Sequence, residues 1–282
     1  MRETSNPVLR SLPEQRGGYA QFGPGIAGAT QAGYQAEPYA YGAPSQTGVS
    51  RPLTIDDVVT KTGMTLGVLS VVAVISYFLV SGNVGLAMPF TLIGSLGGLV
   101  LVLIATFGRK QDNPAIVLSY AALEGLFVGA ISWLFGNVMV QGISAAALIT
   151  QAVLATVGVF FGMLVVYKTG AIRVTPKFTR FMVASMVGVL VLMLGSLVIG
   201  MFSGNPGGPL RDGGMLSIIF SLVVIGIAAF SFLIDFDSAD QMIRAGAPEK
   251  AAWGIALGLT VTLVWLYVEI LRLLSYFYSS DR

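Results

Sequence analysis

The chain has 282 residues, of which 55% are hydrophobic and only 11% charged, and its mean hydropathy is +0.79. A soluble domain carries roughly a quarter charged residues, so lipid is the solvent expected around most of this surface. Cys and His are both absent, which excludes disulfides, thiolate metal sites, cysteine nucleophiles and histidine bases and leaves carboxylates to carry any pH response.

Residues 1–52 read as a disordered cytoplasmic tail. The stretch Gly17–Ser50 is rich in Gly, Ala, Pro and Gln with scattered Tyr19, Phe22, Tyr34, Tyr39 and Tyr41, and cannot bury enough apolar surface to offset the entropy of ordering. A segment that binds a partner through those tyrosines is the alternative. The start has no apolar run of the secretory-signal kind.

From Leu53 onward the pattern is that of a membrane domain, residues 53–282. Apolar runs near 60–81, 85–107, 114–136, 143–167, 179–202, 214–238 and 251–276 are each long enough to cross a hydrocarbon core of ~30 Å as a helix. The fold class is therefore an all-α integral membrane protein, a bundle of seven transmembrane helices. Links after the second, fourth and sixth runs carry Arg109, Lys110, Lys168, Arg173, Lys177, Arg180, Arg244 and Lys250, while the alternate links hold only Arg211. The positive-inside rule then places the N-terminus in the cytoplasm. The basic pI marks that membrane face and gives no sign of nucleic acid; the bilayer is the first partner. The spacings Gly94/Gly98, Gly125/Gly129, Gly158/Gly162 and Gly254/Gly258 suit close helix contacts within the bundle.

Ionisable groups at membrane depth are costly and are the functional candidates. Glu124 lies in the third run with no basic residue within a helical turn, so it is protonated, solvated or paired across helices. Asp235 and Asp237 close the sixth run about 200° apart around the helix, with Gln241 on the face of Asp237. Glu269, in the seventh run, has Arg272 at i+3 for a local pair. No Walker loop, metal-ligand cluster or serine-protease constellation is present, and Gly-Asp signatures of intramembrane aspartyl proteases are missing around Asp235 and Asp237. No enzyme and no cofactor are expected.

Three stretches carry a family resemblance. NPAIVLSYAALEGLF (Asn113–Phe127), FDSADQMI (Phe236–Ile243) and LYVEILRLL (Leu266–Leu274) resemble, in order and spacing, segments of the third, sixth and seventh helices of the Bax inhibitor-1 family, the transmembrane Bax inhibitor motif proteins with bacterial YccA-like members. SNPVL (Ser5–Leu9) is similar to the opening of actinobacterial members. The resemblance covers about residues 53–282. It implies a bundle with the seventh helix central and a slow, pH-sensitive calcium leak gated by a carboxylate pair between helices six and seven. Carried over, the pair is Asp237 with Glu269, Asp235 being the fallback for the first, and Arg109 is the nearest basic partner. If the two acids meet, they share a proton when closed; ionised, they repel each other and offer oxygen ligands to Ca²⁺. The second reading is a regulatory membrane protein without transport, modulating a membrane protease or another membrane protein. A bacterial plasma membrane is the expected location.

Overall fold

A computed structural model describes residues 51–140, 143–204 and 208–280. The expected tail therefore lies outside the described residues, apart from Arg51 and Pro52. Seven α-helices follow: α1 Ile55–Gly82, α2 Ala87–Phe107, α3 Pro114–Leu134, α4 Ala145–Thr169, α5 Pro176–Ser203, α6 Met215–Arg244 and α7 Ala251–Ser280. All seven are long and apolar enough to cross a membrane, and no strand occurs among the described residues.

Polar residues set the helix ends. Thr54 and Asp57 form a capping box that starts α1 five residues before the expected run. Asn113 accepts a hydrogen bond from the Ala115 N–H, with Pro114 in the first turn of α3; this is the physical content of the Asn-Pro signature. The run expected to close at 238 continues to Arg244, because Gln241 hydrogen-bonds Asp237 and Arg244 pairs with Asp240 one turn apart.

The seventh helix is the axis of the bundle. It packs against α1, α3, α4 and α6, while α2 leans on α3 and α5 on α6. Within its most apolar window 72% of residues are buried, against 11–44% for the other six helices. Glycine explains the tightest crossings: a Cβ at Gly94 would stand 2.6 Å from the Leu123 carbonyl oxygen, and one at Gly125 2.7 Å from that of Leu69. Buried Ser76 adds a 2.8 Å hydrogen bond from α1 to the Leu126 carbonyl. Two of the four small-residue pairs serve otherwise, since Gly158, Gly162 and Gly258 have open space where a Cβ would stand.

A strap before α1 is stitched to the α6–α7 link. Pro52 and Pro248 form a β-bridge, the Leu53 N–H donates to the Ala247 carbonyl at 2.8 Å, and the Glu249 N–H donates to the Arg51 carbonyl at 3.0 Å. Arg51 reaches both Asp57 and Glu249, contacts that raise its already high pKa, with the Asp57 hydrogen bond leading.

Candidate functional site: a polar vestibule and a buried carboxylate cluster

On the face of the bundle that carries the strap, a cavity of about 490 Å³ opens between the α2–α3 link, the end of α6 and the start of α7. Arg109, Gln111 and Asp112 line it from the link, Asp235 and Ser238 from α6, and Gly254 and Gly258 from α7. Gly258 leaves open space there, while Gly254 lets the α2–α3 link approach, a Cβ on it standing 3.3 Å from that of Gln111. Asp235 is nine residues from the end of α6, hence ~14 Å inside it. The Thr262 hydroxyl of α7 donates to its Oδ2 at 2.8 Å.

Arg109 adopts φ +52°, the one non-glycine residue with positive φ among those described. Its N–H donates to the Thr106 carbonyl, and the Lys110 N–H to that of Ala105, the two bonds of a Schellman motif in which glycine or asparagine usually takes this position. The strained backbone delivers an arginine to the cavity. It has no ion-pair partner among the described residues. Asp112, at the rim, pairs with Lys250 at 2.7 Å. That hydrogen bond, foremost, holds its carboxyl below the ordinary range against the opposing effect of burial.

Asp237 points away from the vestibule, as its angular offset from Asp235 requires. It accepts hydrogen bonds from Gln241 at 2.6 Å and from the α4 residue Tyr167 at 3.4 Å; Tyr167 also donates to Asp240.

Glu269 is elsewhere. It has 1% of its side chain exposed and meets Ser221 of α6 at 2.8 Å. Arg211, from the link before α6, approaches its two oxygens at 3.0 and 3.2 Å, and Arg272 donates at 2.6 Å. Ser221 and Asp237 are sixteen positions apart on α6, ~24 Å along the axis. The expected Asp237–Glu269 pair therefore does not form here, and no Ca²⁺ site assembles from those two carboxylates. Among the described residues no three acidic side chains converge on one point. The physical reason is register: α6 and α7 run antiparallel, so the end of one faces the beginning of the other, and Thr262 rather than Glu269 reaches Asp235.

Glu124 sits between α3 and α2. Tyr120, one turn earlier, donates to Oε1 at 3.2 Å, whereas buried Oε2 has no partner among the described residues. Gly98 makes room for this carboxyl, since a Cβ there would stand 2.9 Å from Oε2. The local i−4 contact replaces the cross-helix pair that sequence reasoning allowed.

Sequence reasoning missed Arg211 as a partner, along with Tyr167, Ser221, Thr262 and Asp240. For Arg211 a signal existed: it is the lone basic residue on the links opposite the tail, where the positive-inside rule offers it no role.

Seven apolar helices, the seventh of them central, define a multi-pass membrane protein with polar groups held inside its bundle. The chain belongs to the Bax inhibitor 1 like family, whose model matches residues 6–279. Among curated proteins, none matches it.

Proposed function

We propose that this protein is a pH-sensitive cation leak of the Bax inhibitor-1 type, with Ca²⁺ as the ion it passes, and that the structure is its closed form. The supporting observation is Asp235, a carboxylate deep in α6 that lines a vestibule open at one membrane face and is tied to α7 by a single hydroxyl. The family implies a gating acid at this end of α6, and here Asp235 has the geometry for it. Ionised, it holds Thr262 with one oxygen and offers the other as a hard ligand of the kind Ca²⁺ prefers. Protonated, it loses the charge that draws a cation inward. Beyond it the α6–α7 seam is apolar: Leu263 and Leu266 of α7 are buried in one cluster with Ala228 and Phe232 of α6. Transport requires α6 and α7 to part along that seam. In the cell the vestibule faces the cytoplasm, the side that the basic links assign to the tail.

The test is to fill the vestibule. A side chain grown at Gly258 enters open space, so Gly258→Leu preserves the fold and lowers Ca²⁺ flux into proteoliposomes at least tenfold. Flux equal to wild type in a folded variant contradicts the route.

One observation favours the second reading, a regulator of another membrane protein. The strap fastens the chain that leaves for the tail directly to the α6–α7 link, so a partner holding the tail pulls on the vestibule's rim. Removing residues 1–50 abolishes regulation and spares flux if both activities reside in this chain.

A further inference from the structure

At the face opposite the tail, residues 208–213 fold back into the bundle. Gly208 takes a left-handed conformation (φ +62°) against the backbone of Ser196, and the Leu210 N–H donates to the Ser196 hydroxyl at 3.2 Å. Leu210 then packs on the buried cluster of Val189, Phe220 and Val224. Arg211 follows it inward: its guanidinium lies 5.4 Å from the centre of the Phe220 ring, within 3.7 Å of the Met193 sulfur, and on both oxygens of Glu269. One side chain thus joins α5, α6 and α7. The next residue is held back at the surface, where Asp212 accepts from the Gly214 N–H and the Ser217 hydroxyl; these bonds, led by the backbone one, keep its carboxyl below the ordinary range.

We infer that Arg211 is a second gate residue, the pin of a plug formed by Leu210 and Arg211 that closes the membrane face opposite the tail and bars cations at the level of Glu269. The inference deepens the leak reading and rests on it. Its physical basis is charge and packing together. Arg211 and Arg272, 14% and 20% exposed, set two guanidinium groups against the one buried carboxylate of Glu269, a net single positive charge among the three. Positive side chains in a narrow polar passage exclude cations. When Leu210 and Arg211 withdraw, the excess charge leaves with them and Val224 loses its cover. A cation crossing the bundle therefore meets two barriers of different kind, the apolar α6–α7 seam beyond Asp235 and the arginine pin beyond Glu269. Neither the Asp235 site nor the strap reaches this second barrier.

The chain contains no cysteine, so an introduced thiol is the sole target for a membrane-impermeant methanethiosulfonate reagent. Val224 is fully buried in the cluster that Leu210 packs against. With Val224→Cys alone, labelling from the plug face is slow; adding Arg211→Gln accelerates it at least tenfold, and Arg211→Lys, which keeps the charge but not the fork, gives an intermediate rate. In parallel, Arg211→Gln raises Ca²⁺ leak several-fold in proteoliposomes. Equal labelling rates in the three proteins, each shown to be folded by a cooperative thermal transition above the assay temperature and monodisperse elution, overturn the plug. If Arg211→Gln fails that check, Arg211→Lys is compared alone, and a rate equal to the Val224→Cys parent overturns it. Accelerated labelling with no flux in any protein keeps the plug and overturns the leak reading, because labelling needs no transport.

Discussion

Arg211 Nη1 stands 3.0 Å from Glu269 Oε1 across 58 residues of chain, and this contact places the single basic residue of the tail-opposite links inside the membrane domain. Glu269 holds a loop and α6 together in the half of the bundle away from the vestibule, whereas Asp235 lines the vestibule with Asp112.

The pair is open to a double-mutant cycle. Removing one partner of a buried ion pair costs about 3–5 kcal/mol, so Arg211→Met and Glu269→Met each lower stability in detergent by that order. The double variant loses less than the sum, with a coupling of about 1–3 kcal/mol. Strict additivity shows that the contact contributes nothing.

Glycines divide into packed and open ones. Gly125→Ala drives a Cβ into the Leu69 carbonyl oxygen, and Gly129→Ala does the same at Ala73; overpacking of this kind costs about 1–3 kcal/mol. Gly158→Ala and Gly162→Ala meet nothing and gain up to about 1 kcal/mol from relief of glycine's helix penalty. Thermal unfolding in one detergent compares all four, and losses at 158 and 162 equal to those at 125 and 129 contradict the packing described.

Arg109→Gly removes a side chain from a left-handed position. Relief of backbone strain raises stability by about 1 kcal/mol, a higher thermal midpoint, while the vestibule loses its cation. A lower midpoint indicates that the guanidinium makes a stabilising contact.

The rim pair Asp112–Lys250 sets a pH window. The folded pKa of Asp112 is depressed, chiefly by its hydrogen bond to Lys250. Its stabilisation is present above the ordinary Asp value of about 3.9 and is lost as pH falls through the lower folded value. The difference in thermal midpoint between wild type and Asp112→Asn accordingly stays constant from pH 8 to 5 and closes only below about pH 4. Closure of that difference between pH 6 and 7 refutes this assignment.

Much of this was legible in the sequence. Seven apolar runs fixed the helix count, because lipid leaves a spanning segment few alternatives to a helix. The offset of Asp235 from Asp237 followed from 3.6 residues per turn, and Arg272 was visible as a local partner of Glu269. The strap and the Arg211 contact were not, since each joins segments far apart in the chain through backbone or through one long side chain. The gating pair failed to assemble for a related reason: motifs name the acids, but the register of α6 against α7 decides which residues face each other. Arg109's strained backbone was hidden too, because no residue type announces a left-handed arginine.

We propose Asp235 as the pH-responsive acid of the cation leak. This is tested most directly by Ca²⁺ flux into proteoliposomes from pH 5 to 8, comparing wild type with Asp235→Asn and Asp237→Asn. A pH-dependent flux is expected in wild type, retained in Asp237→Asn and flattened in Asp235→Asn. An unaltered pH profile in folded Asp235→Asn, or no flux in wild type at any pH, contradicts it.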